Sequence, residues 1–166
     1  DGPFFRGKKV VVAGGGDTAL TDALYLSKLC STVTIVHRRE EFRAQKALQD
    51  KIAKVGNIST VMGRNIVEIK GDGSSVKEVV LDGGETIEAD GVFVFIGTVP
   101  NSSLVEKIAK TENGFVVTDD SMETTLPGLF ASGDVRNTTF RQVVTAASDG
   151  AKAAHGADEY IRKNNL

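Results

Sequence analysis

Lys9-Val10-Val11-Val12-Ala13 sets small and β-branched apolar residues side by side, and Gly14-Gly15-Gly16 follows at once. A short apolar run closed by a turn signal predicts a buried strand, here Lys8 to Val12. From Asp17 the period changes. Ala19, Ala23, Leu26 and Cys30 recur at helical spacing, with Leu20, Leu24 and Leu29 beside them, which predicts a helix from Asp17 to Leu29. Val33 to His37 reads as a second strand. Glu40 to Val55 reads as a second helix turning Phe42, Ala44, Leu48 and Ile52 inward, and Ile58 to Gly63 as a third strand. Arg64 to Lys70 and Val76 to Leu81 alternate apolar and polar residues, the pattern of antiparallel strands with one wet face. Gly71 to Ser75 and Asp82-Gly83-Gly84 supply the turns, and Thr86 to Ala89 closes a meander. Gly91 to Gly97 is the most apolar run and reads as a central parallel strand covered on both faces. Beyond it the pattern predicts a short helix over Ser103 to Lys110 and a strand over Phe115 to Thr118. An apolar strand comes next, from Leu129 to Val135, ending in Gly133-Asp134, and then a small-residue-rich helix from Arg141 to about Lys163.

Composition narrows this only modestly. The 166 residues suffice for one sizeable core, and 40% hydrophobic with 25% charged residues is ordinary for a globular chain. A net charge of −2 argues against nucleic acid as a partner. No run of apolar residues has the length of a membrane span, and the first residues lack the layout of a signal peptide. A single cysteine, Cys30, excludes an intrachain disulfide framework and fits a reducing, cytoplasmic setting in which it acts as a small buried hydrophobe. The chain opens on Asp1 rather than Met, which reads as a piece of something longer. No His/Cys cluster has the spacing of a metal site.

The chemistry concentrates between Lys9 and Arg43. A strand running into a glycine turn and then a helix is the opening of a Rossmann-like dinucleotide-binding βαβ unit, although glycine triplets also occur in plain turns. Gly14 permits the tight turn, Gly16 carries no side chain to hold a pyrophosphate away, and Ala19 lets helix and strand pack closely. The helix that begins at Asp17-Thr18 presents free N–H groups to phosphates. An NAD-binding unit ends its second strand in Asp or Glu, to receive the ribose 2′-OH. Here that strand ends in His37-Arg38-Arg39, with Arg43 one turn further on. A basic strand end can be merely solvated. Placed about twenty residues after the glycine turn, the cluster favours a 2′-phosphate gripped by guanidinium forks, and therefore NADP(H).

Four segments together resemble the low-molecular-weight thioredoxin reductase family of flavin-dependent pyridine nucleotide-disulfide oxidoreductases. They are Asp1 to Lys8, Gly14 to Ala19, His37-Arg38-Arg39 with Arg43-Ala44, and Gly133-Asp134-Val135 with Arg141-Gln142-Val143. Ile96-Gly97-Thr98-Val99-Pro100-Asn101 also matches that family's Ile-Gly-x-x-Pro-Asn. The resemblance implies a three-layer NADPH domain with a β-meander crossover over residues 1–112. It also implies the strand–helix C-terminal part of a discontinuous FAD domain over residues 113–166. Gly14, Gly16, Asp17, Thr18, Ala19, His37, Arg38, Arg39, Arg43, Ile96 and Gly97 would then serve NADPH. Gly133 and Asp134 would meet the flavin ribityl and phosphate region, and Arg141, Gln142 and Val143 would open the helix facing the isoalloxazine. Asp1 takes the position of a proton donor beside a Cys-x-x-Cys, a motif this chain lacks. Three residues depart from the family pattern: Thr21, Thr98, and Asp149, which interrupts the small-residue run near the flavin.

The implied activity is hydride transfer from NADPH to FAD and on to a disulfide of a thioredoxin-like protein, by an intact enzyme that is commonly a homodimer. Two rivals stand beside it. One is a flavin reductase without a redox disulfide, passing NADPH electrons to ferredoxin or another acceptor. The other is a nucleotide-binding module without turnover, which is what the chain alone is expected to be.

Overall fold

The structure, a computed structural model, describes residues 1–165; Leu166 lies outside them. The chain divides into two compact units, Asp1–Gly97 and Thr98–Leu166. The cofactor-based boundary at 112/113 does not coincide with this division. Residues 98–112 belong to the second unit because the Ser102 hydroxyl donates to the Gly114 carbonyl and Thr111–Glu112 pairs with Phe115–Val116.

The first unit is built on β1 (Lys9–Ala13), α1 (Asp17–Leu26), β2 (Thr32–His37), α2 (Lys46–Ile52) and β3 (Ile58–Met62). It continues through the meander β4 (Ile66–Gly71), β5 (Val76–Leu81) and β6 (Thr86–Glu88), and returns in β7 (Gly91–Val94). Four strands pair in the order β3-β2-β1-β7, all parallel. Alternation along β1 decides what each face meets. Val10 and Val12 pack with Ala19, Leu20, Ala23 and Leu26 of α1, whereas Val11 packs with Val79, Leu81 and Ala89 of the meander side. The result is the expected α/β architecture of helices, parallel sheet and antiparallel meander. Cys30 lies in the helix-side core, and burial pushes its thiol above the ordinary value.

Two elements of this unit differ from expectation. The second helix spans only Lys46–Ile52, and residues 38–45 form an irregular loop. The amides of Arg43 and Ala44 donate to the Gly15 carbonyl at 2.8 and 3.1 Å, and that of Gln45 donates to Asp17 at 2.7 Å. Gln45, at ψ 141, is extended backbone, so helical geometry begins after it. Phe42 and Ala44 do turn inward, but against the glycine turn and His37 rather than as a helix stripe. The apolar β7 is an edge strand and not a central one. It is apolar because Phe93 meets the helix-side core and the Phe5 ring (5.2 Å, edge-on), while Val92 faces the meander.

The second unit has little regular structure before its long helix. β8 (Thr111–Glu112) and β9 (Phe115–Val116) form a two-residue hairpin, and α3 spans Val143–Asn164. The helix expected over Ser103–Lys110 is a series of turns, because only isolated bonds such as Glu106 N–H to the Ser102 carbonyl form there. The strand expected over Leu129–Val135 is absent. A strand needs partners along its length, and among the described residues this segment has one bridge, Glu123 to Phe130, before Gly133–Val135 coils into a 3-10 turn. Among the described residues no helix is long and apolar enough to cross a membrane.

Candidate nucleotide-binding site

The parallel register brings the first unit's candidate residues to one edge. Ala13 lies beside Val36 of β2 and Val94 of β7, so the glycine turn, His37 and the Phe95–Gly97 loop all leave the sheet at its carboxyl end. Gly14 N–H donates to the Val36 carbonyl at 3.0 Å, and Phe95 N–H to the Ala13 carbonyl at 2.7 Å. Ligands of open α/β sheets bind at this edge.

Each residue of the turn has a separate physical reason. Gly14 sits at φ +145, and a Cβ there would lie 2.5 Å from the Phe95 carbonyl oxygen. Gly15 faces His37, whose ring atoms would be 2.5 Å from a Cβ. Gly16 has ordinary extended backbone with nothing within 4 Å, the free space a phosphate group would require. Ala19 is fully buried between helix and strand. Thr18 is exposed on the first turn of α1, whose earliest bond runs from Leu20 N–H to the Gly16 carbonyl. The preceding amides are those a helix leaves without intrahelical partners, at its positive end.

The arginine loop is fastened to that turn. Gly63 N–H holds the Arg39 carbonyl at 3.1 Å, the Arg43 and Ala44 amides hold Gly15, and Asp17 holds Gln45. Arg38, Arg39 and Arg43 are exposed, and none is paired with a carboxylate among the described residues. His37 lies beneath the turn, 7% exposed and stacked on Phe42 at 5.9 Å, with Nε2 buried and unbonded. Burial pushes its imidazole below the ordinary value, a hydrogen bond with the Glu41 backbone opposes this, and the charges of Arg39, Arg38 and Arg43 lower it further. A neutral, packed ring supports the turn from below. Ile96 is 78% exposed, and Gly97 has φ +104. Open space over Gly16, unbonded amides and three uncompensated guanidiniums together fit a dinucleotide with an extra phosphate.

In the second unit, Gly133 (φ +75) and exposed Asp134 form the 3-10 turn. Arg141 donates from Nε to the Asp134 carbonyl and from one terminal nitrogen to the Arg136 carbonyl, both at 3.3 Å, with its guanidinium 4.0 Å over the Phe115 ring. Gln142 caps α3, its N–H held by Thr145 Oγ1 at 3.0 Å, and Val143 begins the helix 86% exposed. Asp134 has an unbonded carboxylate among the described residues, which suits a hydroxyl-bearing group such as the ribityl chain of FAD. Asp1 is exposed beside the opening 3-10 turn.

Sequence reading missed the contacts that hold this turn. Arg136 bonds Asp149 Oδ2 at 2.6 Å and Thr118 Oγ1 at 2.7 Å, while Gly133 N–H reaches the same Asp149 oxygen at 3.3 Å. Both partners of the ion pair are about 15% exposed. Asp149, which breaks the small-residue run, is therefore the counter-charge that fixes the Gly-Asp turn to α3; a charged residue within a small-residue helix face was the signal. Arg136's hydrogen bond is the main cause holding the Asp149 carboxyl below the ordinary value. Desolvation opposes it, and Arg136's charge, Gly133 N–H and Lys152 assist. A carboxyl depressed on folding stabilises above its unfolded value and loses that contribution as pH falls through the folded one. Asp149→Asn is expected to cost about 1–2 kcal/mol at neutral pH. The gap in melting temperature from wild type should close below about pH 4. A gap that stays constant with pH would contradict this role.

A family model described as pyridine nucleotide-disulphide oxidoreductase matches residues 2–150. A thioredoxin reductase of Treponema pallidum (strain Nichols) is 48% identical over 166 residues, covering 97% of this chain and 54% of that protein. One from Listeria innocua is 43% identical, covering 98% and 53%. Among solved structures, thioredoxin reductase from Streptococcus pyogenes superposes with a TM-score of 0.81 at 37% identity, covering 98% of this chain and 55% of that one. The chain thus spans about half the length of the relatives it matches. With the family model covering nearly all of it, the chain belongs to the pyridine nucleotide-disulphide oxidoreductase family.

Proposed function

We propose that this chain is the NADPH-binding portion of a flavin-dependent thioredoxin-disulfide reductase, and that its second unit contributes part of an FAD site. The observation that carries the reading is the pair of bonds from the Arg43 and Ala44 amides to the Gly15 carbonyl. They keep an arginine cluster beside a glycine turn, so one ligand carrying both a pyrophosphate and a third phosphate can satisfy both. The cofactors supply the redox chemistry, in which hydride passes from NADPH to FAD and on to a disulfide of a thioredoxin-like protein. The chain's own part is to bind and orient. Gly14, Gly16, Thr18 and Ala19 form the pyrophosphate cradle; Arg38, Arg39 and Arg43 receive the 2′-phosphate; Ile96 and Gly97 border the nicotinamide end. Gly133 and Asp134 receive the flavin's polyol and phosphate region, with Arg141, Gln142 and Val143 at the flavin-facing helix start. In the same reading the intact enzyme is a cytoplasmic homodimer.

The test mixes this polypeptide with NADPH, FAD and a disulfide acceptor. Binding of NADPH in preference to NADH is expected, without reduction of the acceptor, because Cys30 is the only thiol and is buried. Absence of an NADPH preference overturns the nucleotide reading. Turnover with tightly bound FAD overturns the assignment of only part of the flavin site to this chain.

A further inference from the structure

We propose that Asp17 is a specificity-positioning residue: its carboxylate fastens the arginine loop to the glycine turn, so that the choice of a 2′-phosphorylated nucleotide depends on an acidic side chain. This rests on the proposed function and extends it to a residue that makes no use of its charge toward the ligand. Oδ1 of Asp17 accepts the Gln45 N–H at 2.7 Å, and Oδ2 accepts from Gln45 Nε2 at 3.3 Å. The span it closes begins where β2 ends, contains Arg38, Arg39 and Arg43, and has no regular structure of its own. Its other ties include the Gly63–Arg39 bond, the two amides on Gly15, the Gln49 Nε2 donation to the Ala44 carbonyl at 2.7 Å and the hydrogen bond of His37 with the Glu41 backbone. Asp17, the first residue of α1, thus reaches the far end of the loop, just where α2 starts.

An ionised carboxylate is acceptor-only and cannot hydrogen-bond a phosphate oxygen. Beside the place of a pyrophosphate it repels, while the helix N-terminus stabilises it in the free protein. Two readings therefore make opposite predictions. If Asp17 acts only as a charge near the phosphates, removing it tightens binding of NADPH and NADH together. If it positions the loop, removing it weakens NADPH selectively, because only NADPH has a group for the arginines to grip.

The experiment titrates the protein with NADPH and NADH, with thermal unfolding recorded in parallel. Asp17→Ala is expected to reduce the NADPH-to-NADH affinity ratio about tenfold, the loss of one to two charge-assisted hydrogen bonds. Asp17→Asn, which keeps an acceptor oxygen, restores most of the ratio. Gln45→Pro leaves Asp17 in place and deletes the donor N–H at a φ of −56 that proline can adopt, so it should lower the ratio as well. A wild-type preference that survives both Asp17→Ala and Gln45→Pro overturns the proposal alone, as does an equal gain or equal loss for the two nucleotides. A wild-type protein without preference overturns the proposed function and this inference with it.

Discussion

Exchanging Arg38 and Arg39 together for glutamine is expected to lower affinity for NADPH by about two to three orders of magnitude and to leave NADH close to wild type. Charge-assisted hydrogen bonds to a phosphate contribute about 1.5–3 kcal/mol each, and a guanidinium presents two parallel donors to one phosphate. Both arginines are exposed and no ion pair holds them among the described residues, so nothing in the free protein competes with the ligand. The same exposure means the double variant should melt within about 0.5 kcal/mol of wild type. It also makes the preference salt-dependent, since the Debye length falls from about 10 Å at 0.1 M to about 3 Å at 1 M. Titration at both ionic strengths checks this. A double variant that still prefers NADPH would remove the arginines from the binding account.

Two glycines two residues apart should fail in different ways. Gly14→Ala places a methyl on a backbone at φ +145 and within 2.5 Å of the Phe95 carbonyl oxygen, and 3.0 Å from the Ala19 Cβ. The oxygen belongs to the β7 end and cannot move without breaking its register with β1. The cost is about 3 kcal/mol or more, a fall in melting temperature of at least about 10 °C in a unit of this size. Gly16→Ala has φ −95 and ψ 178, open to any residue, with no atom within 4 Å. It should fold as stably as wild type and yet bind dinucleotide about tenfold more weakly or worse, because in the proposed binding mode its methyl would stand where the pyrophosphate approaches. Melting curves and nucleotide titrations on the two variants separate fold from binding. Equal instability, or normal binding by Gly16→Ala, would refute the division of roles.

The first βαβ unit and the meander are legible in the sequence because each is signalled locally. Val10 to Ala13 and Val33 to Val36 are continuous apolar runs, α1 carries its stripe at helical spacing, and Asp72 with Ser74 and Ser75 closes the hairpin through its own carboxylate. The second helix misleads for an equally local reason. Phe42, Ala44, Leu48 and Ile52 satisfy helical spacing, but the amides of Arg43, Ala44 and Gln45 have partners on α1's side of the turn, outside the window in which periodicity is read. β7 reads as central because its run is apolar throughout, but the cover that Phe93 finds on Phe5 and Val92 on the meander is a matter of packing rather than of strand order, and Val94 stays exposed.

The amino-acid sequence by itself determined that a glycine turn would lie between a buried strand and an amphipathic helix, and that three arginines would come after the second strand. Those are properties of neighbours along the chain, enforced by the backbone freedom of glycine and by the period of apolar side chains. Only the tertiary structure decided that Asp17 would hold Gln45, that Gly15 would hold Arg43 and Ala44, and that Asp149 would neutralise Arg136 behind the Gly133–Asp134 turn. A carboxylate or a carbonyl has many donors within reach of an unfolded chain. Which one it meets is set by the register of β1 against β2, and of one turn against one helix, and no single segment encodes that.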